Sequence, residues 1–356
     1  MINKPFCLSS YFAYRYIFKD GIDFYPGMEH VNFKPIALNQ RIKVNKASEI
    51  DAEIKRQFNK LYQQYNNIGI LLSGGMDSAI PASYLRPGSH AYTFTTQDSA
   101  VFNDDLQRAQ YYCKKFNLIH HQVNISFDDY STYTPIVMRA KGAPVHSIEP
   151  QIYKAAIEAK RDGVELMIVG ESADLIFGGM NQLIGEDWNF DDFVKRYTFL
   201  DPNRVLREPD NKVFDLYETY RKEEGKIDFL KFMDEVFSIE SSSSYLNAFG
   251  TAQMPYYDPY ACLVMGQPLD LKRVRNGEPK YLIRELYALK YPEREIPFKI
   301  PMPRPVDAFL QNWSGPKRQE FREDIDMNKL TGNQKWQLWC AELFLNLFDQ
   351  QNIDAR

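Results

Sequence analysis

The sequence predicts an α/β protein in which a parallel sheet is flanked by helices and followed by a mainly helical C-terminal part. Three observations lead there. Short apolar runs near residues 68–72, 91–96, 121–125 and 166–169 alternate with segments of helical spacing. Each intervening segment is long enough to cross over and bring the next strand in parallel, with helices on both faces. Beyond Met180 the strand signal fades and apolar residues recur with a helical period.

Taken in order, residues 1–55 are rich in aromatics and read as short β-like pieces with a turn at Tyr25-Pro-Gly27. A polar–apolar helix expected from Asp51 to Tyr65 leads into the core unit, residues 56–180. There the first strand runs from Ile68 to Leu72, and a helix starts by Ala79. A second strand follows from Ala91 to Thr96, then a helix from Asp104 to Phe116. A third strand from His121 to Ile125 precedes a helix from Glu149 to Asp162 and a fourth strand from Leu166 to Val169. In the third unit, residues 181–356, helices are expected near 190–200, 213–222, 229–237, 281–290 and 334–348, with proline in several connections. The run Glu240-Ser-Ser-Ser-Ser-Tyr245 is expected to cap or interrupt a helix.

A formal charge of −4 gives no reason to expect a nucleic-acid or anionic-membrane partner. No leader pattern opens the chain and no long uncharged apolar run occurs, so a soluble cytoplasmic protein is expected. Cys7, Cys113, Cys262 and Cys340 are scattered without a CxxC pair, which argues against a zinc knuckle or a disulfide framework. The five histidines form no recognisable ligand motif and read as structural or surface residues.

The chemistry concentrates at two places. After the first strand comes Ser73-Gly-Gly-Met-Asp-Ser78, a glycine-rich turn opening a helix. Gly74 and Gly75 permit a sharp turn and close backbone approach, and free amides at the helix mouth favour an anion. Asp77 would be unwelcome beside bare phosphate, so it points to a bridging Mg²⁺. No lysine precedes Ser78, which excludes the loop of GTPases and kinases. After the fourth strand, Gly170 is followed by Glu171 and Asp174, which share one face of a helical turn. Two buried like charges that close need a cation or a proton between them, making Asp174 a second Mg²⁺ anchor beside Asp77.

The first motif resembles the pyrophosphate loop (PP-loop) of the ATP pyrophosphatases, which divide ATP between its α and β phosphates. Paired with Gly170-Glu-Ser-Ala-Asp-Leu-Ile-Phe-Gly-Gly179, it resembles the synthetase domain of asparagine synthetase. That group also holds β-lactam and carbapenam synthetases and lasso-peptide cyclases. The resemblance continues through Pro255-Tyr-Tyr-Asp258, Lys280-Tyr-Leu-Ile-Arg284, Tyr291-Pro292, Lys299 and the segment from Gln334 to Phe344, covering roughly residues 56 to 350. Near the N-terminus, residues 11–27 are similar to the segment that closes the family's glutaminase domain. The N-terminal cysteine nucleophile of such a domain has no counterpart in Met1-Ile2-Asn3, so no glutamine hydrolysis is expected within this polypeptide.

The resemblance implies an adenine nucleotide α-hydrolase-like fold and an ATP-dependent, amide-forming ligase. A carboxylate would be adenylated with release of pyrophosphate, and ammonia or an amine, supplied directly or by a separate amidase subunit, would displace AMP. Ser73, Gly74, Gly75, Ser78 and Gly170 would contact ATP or pyrophosphate, with Leu71 and Phe94 at positions whose backbone contacts adenine. Asp77 and Asp174 would hold Mg²⁺. Glu171 would accept the proton of the attacking nitrogen, and Lys299 would stabilise the charged α-phosphate. The family's usual acidic and basic acceptor-side residues are replaced by Leu175, Thr251 and Gln253, which suggests a small-molecule carboxylate other than free aspartate. Tyr256, Tyr257 and Tyr260 near the expected mouth hint at a ring or sugar. Two other readings stand beside this one: a nucleobase- or tRNA-modifying enzyme, disfavoured by the acidic charge and lack of CxxC, and a non-catalytic ATP-binding subunit.

Overall fold

The computed structural model describes every residue except 97–100, 299–301, 303 and 355–356, and only the backbone of 101–103 and 350–354. Seven strands occur among the described residues: β1 (Ile42–Val44), β2 (Ile68–Leu71), β3 (His90–Thr95), β4 (Ile119–Asn124), β5 (Leu166–Ile168), β6 (Tyr256–Tyr257) and β7 (Leu263–Met265). Five form one sheet in the order β4-β3-β2-β5-β6, every pair parallel. β1 and β7 make a separate parallel pair.

The helices that frame the sheet are α1 (Lys4–Tyr14), α2 (Ala47–Gln64), α3 (Met76–Ala82), α4 (Val101–Phe116), α5 (Phe127–Lys141), α6 (Glu149–Arg161), α7 (Ser172–Ile176), α8 (Ser238–Ala252), α9 (Tyr281–Lys290) and α10 (Gly332–Asp354). Strand alternation divides the core into two layers. Ile68, Ile70, Ala91, Leu166 and Ile168 point into one, with residues of α2, α3, α4 and α9. Leu71, Tyr92, Val123, Met167 and Val169 point into the other, with α1, α5, α6, α8 and α10. Each fully buried Ile or Leu contributes roughly 1.5–3 kcal/mol, so both faces of the sheet are anchored. The chain leaves β2 towards β3 on one side and later enters β5 on the other. The crevice at the carboxyl ends of β2 and β5 is therefore the topological switch point, where ligands of such sheets bind.

Several expectations change. Within residues 1–55 only Ile42–Val44 is an extended strand, while Lys4–Tyr14 is a helix capped by Asn3, whose side chain accepts from the Phe6 amide at 3.0 Å. Its aromatics are buried on all sides, so no polar stripe advertises the helix. A helix at Phe127–Lys141 is additional; Pro135 disguises it, and a capping box between Ser126 and Asp129 starts it. The serine run neither caps nor breaks a helix, since Ser241 to Ser244 lie inside α8, which continues from Phe229 through a π-helical turn at Met233–Phe237. The sheet also gains a fifth strand from the C-terminal part, two tyrosines long.

Candidate functional site

The loops after β2 and β5 meet at the switch point. A Cβ on Gly170 would overlap the Asp77 carbonyl oxygen and lie 3.2 Å from the Ser78 nitrogen, so the second loop packs directly on the backbone of the first. Gly74 is equally tight, since a Cβ there would come within 2.6 Å of Cα of Asp105 on α4. Within the turn, the Ser73 amide donates to Ser78 Oγ at 3.0 Å, and the Gly75 amide donates to Ser73 Oγ at 3.2 Å. The two hydroxyls are 2.9 Å apart. These bonds hold the loop in shape while Ser73 stays exposed at its tip.

Asp77 and Asp174, far apart in sequence, converge on one ammonium. Lys280 Nζ lies 2.6 Å from Asp77 Oδ2 and 2.8 Å from Asp174 Oδ1, with only 4% of its side chain exposed. Burial works against the lysine's charge, but the two carboxylates outweigh it and raise its pKa. Lys280 takes a left-handed backbone conformation, φ 55°, immediately before α9.

Beside this triad, Asp258 follows β6 and accepts from the amides of Ser172 at 2.7 Å and Tyr260 at 2.9 Å. It thereby ties the start of α7 to the end of the sheet. Burial lifts its pKa to about 6, against the pull of those amides, and Asp77 adds to the rise. Glu171 is walled by protein yet reached by solvent. Its Oε2 accepts from Ser242 Oγ at 3.1 Å, and among the described residues its Oε1 has no hydrogen-bond partner. Burial, reinforced by Asp258, pushes its pKa to about 8, so it is mostly protonated at neutral pH.

Behind Glu171 runs a second buried network. The Arg15 guanidinium contacts Glu240 at 3.1 Å and His146 Nε2 at 2.8 Å and covers the Phe199 ring. Burial first, then Arg15, Arg304 and Lys141, hold the His146 pKa well below its usual value, so the neutral ring accepts from Arg15. A separate cavity of about 650 Å³, lined in part by Leu183, Trp188, Phe199 and Gln334, includes none of the corner residues.

The Asparagine synthase family profile matches residues 49–244. The chain belongs to the asparagine synthase family. Within the match lie both loops of the corner and the start of α8. The chain is 25% identical over 164 residues to asparagine synthetase [glutamine-hydrolyzing] 2 of Bacillus subtilis (strain 168), covering 43% of this chain and 22% of that protein. It is 30% identical over 161 residues to asparagine synthetase [glutamine-hydrolyzing] of Sandersonia aurantiaca, covering 42% of this chain and 28% of that protein. The match thus spans about a quarter of the length of these curated relatives. Among solved structures, the NMN synthetase of Francisella tularensis is similar at 13% identity, with 72% of this chain and 100% of that chain covered and a TM-score of 0.29. A score that low leaves the parallel sheet itself as the ground for the fold.

For this family member, the structure brings Ser73, Gly74, Gly75, Asp77, Ser78, Gly170, Glu171 and Asp174 to one corner. Leu71 is a buried core side chain and Phe94 is partly buried against the same layer. Lys299 lies outside the described residues. Of the three tyrosines, half-buried Tyr256 stacks on Phe249, Tyr257 donates to Gln57, and fully buried Tyr260 donates to the Asp77 carbonyl at 3.1 Å. Tyr260 thereby supports the corner. Asp258, Lys280 and Ser242 are site residues that sequence reasoning did not assign, although the first two stood inside quoted motifs. No helix among the described residues is long and apolar enough to cross a membrane.

Proposed function

We propose that this chain is an AMP-forming carbon–nitrogen ligase that adenylates a carboxylate and transfers the acyl group to ammonia or an amine. The observation that carries this reading is the convergence of Asp77 and Asp174 on one cation at the sheet's switch point, with the Glu171 carboxyl in the same corner. In the first step a carboxylate oxygen attacks the α-phosphorus of ATP and pyrophosphate leaves. In the second, the amine attacks the acyl carbon, AMP leaves, and one proton departs from nitrogen.

The chain's own groups suit both steps. The Ser73–Ser78 turn offers hydroxyls and backbone beside the place where the leaving pyrophosphate would lie. Oxygen-only donors already gathered around one positive charge fit Mg²⁺, and Asp77 and Asp174 would hold it. Bound there, the ion would neutralise charge on the phosphates. Glu171 would take the proton from the attacking nitrogen, with Ser242 orienting its carboxyl. Lys299 keeps the role its resemblance implies, at the α-phosphate.

The acceptor would be a small carboxylate other than free aspartate. Of the three replaced positions, Thr251 bonds back to the Asn247 carbonyl at 2.7 Å and Gln253 ends α8 in a left-handed conformation. Both serve the helix end, and neither supplies the charge that an amino acid head group would need. Nitrogen would come from free ammonia, an amine substrate or a separate amidase, in the cytoplasm and without nucleic acid or membrane.

The test is pyrophosphate release from ATP and Mg²⁺ across a panel of carboxylates. Release should depend on one class of carboxylate, and Asp77→Asn should lower it by about 10²-fold or more. Unchanged release in that variant, or no release with any carboxylate, would overturn the reading.

A further inference from the structure

The opposite rim of the sheet carries a cluster that the ligase reading does not use. His90 opens β3, and Tyr92 and His121 stand directly across from each other in the β3–β4 register. Alternation along the strands puts His90, Tyr92 and His121 on one face. That face is covered by α6, whose C-cap residue is Asp162. His90 Nδ1 lies 2.9 Å from His121 Nε2, and the two rings are within 10° of parallel with centroids 5.0 Å apart. A centroid separation that exceeds the nitrogen contact by so much means that the rings meet edge to edge, nearly in one plane. On the far side, His121 Nδ1 is 3.6 Å from Asp162 Oδ2, which also accepts from Tyr92 Oη at 2.7 Å.

We propose that His90, His121 and Asp162 form a binding site for a divalent transition-metal ion of the zinc class at the amino-terminal rim of the sheet. One ligand atom from each residue falls within 4.8 Å of the others. Zinc bonds of about 2.0–2.2 Å at tetrahedral angles place two ligand atoms about 3.3 Å apart, so the imidazole pair must open by a few tenths of an ångström and turn until both lone pairs, together with the Asp162 carboxylate, converge on the ion. Two imidazoles and one carboxylate with partial exposure leave the fourth position to water. Tyr92 would act as an outer partner that fixes the carboxylate, as is usual around such sites.

The proton balance is simple. In the hydrogen-bonded pair one ring donates its N–H to the other. Metal entry displaces that proton to the same ring's outer nitrogen, and the ligand nitrogens both present lone pairs. The ion would clip edge strand β4 to the turn between α6 and β5. That role is structural, independent of ATP chemistry and of the proposed ligase activity.

The experiment uses the full chain, stripped with chelator and dialysed against zinc with excess Mg²⁺ present to occupy carboxylate-only sites. One zinc per chain should remain, and a raised melting temperature should accompany it. His90→Ala and His121→Ala should each lose tenfold or more in zinc affinity, whereas Asp77→Ala should retain it. Cobalt substitution should give the visible absorption of a four-coordinate imidazole–carboxylate site. If a histidine variant does not fold, Asp162→Asn, which keeps an acceptor for Tyr92, should show the loss. No zinc retained by the native chain, or equal retention by both histidine variants, would overturn the site.

Discussion

The two rims of the sheet handle charge in opposite ways. At the carboxyl rim, Asp77, Asp174, Asp258 and Glu171 are drawn into one corner, and a buried lysine bridges the first two. At the amino rim, two half-buried histidines share a hydrogen bond and face an exposed aspartate. Nothing about a stable sheet requires the first arrangement, because burying like charges opposes folding. At the switch point the buried Lys280 offsets the charge of Asp77 and Asp174, and it is on this arrangement that the proposed ligase reading rests. The second arrangement brings one carboxylate beside two imidazoles and crowds no like charges, which is why it suits a clip rather than a reaction.

The most incisive way to break this contrast is at Glu171. Glu171→Gln should lower amide formation by about 10²–10⁴-fold, the usual contribution of a positioned base, while sparing pyrophosphate release. Its raised pKa fixes the sign of the pH profile. As the base must be ionised, native activity should climb with pH up to about 8 and then level, and the glutamine variant should lose that slope. A slope that persists in the variant would remove Glu171 from the mechanism.

Next in size is Lys280→Met. Removing the ammonium leaves two carboxylates facing each other, so chemical denaturation should show a loss of about 3–5 kcal/mol. Added Mg²⁺ should restore part of it, and a variant as stable as the native protein would refute the charge-compression argument. Gly170→Ala should be milder, at about 1–3 kcal/mol, because its methyl forces the two loops apart. The same change should weaken ATP binding by calorimetry, and unchanged affinity would show that the contact is structural only. The smallest effect belongs to Tyr260→Phe. It removes one hydrogen bond to the Asp77 carbonyl and should cost about 1 kcal/mol in melting experiments, with no change in the pH profile.

Legibility followed range along the chain. Ile68 to Leu72 and Leu166 to Val169 announced themselves because buried parallel strands are apolar on both faces. Asp77, Glu171 and Asp174 were readable since each sits in a short motif directly after such a strand. Lys280 was not, because its meaning depends on a partner 203 residues away, and only the assembled fold makes that pair. The serines of α8 misled for a related reason. Serine disfavours isolated helices, but here Ser242, Ser243 and Ser244 are buried, and Ser242 faces Glu171. Likewise Tyr256–Tyr257 is too short to signal a strand, and it exists because β5 offers it an edge. In α1, aromatic residues favoured a β reading until burial on every side overrode it.

The fifth strand has a kinetic corollary. Met167 pairs with Tyr256, so closing that edge joins segments far apart in the chain, and late, slow assembly is the rule for such long-range contacts. Asp258 travels with that strand and pins the start of α7. A nascent chain that has folded only through residue 250 therefore lacks the carboxylate that tethers the opposite wall, along with Tyr260 and Lys280, which hold Asp77. Competence to hold ATP should arrive as a discrete final event of refolding, later than the appearance of the helical signal.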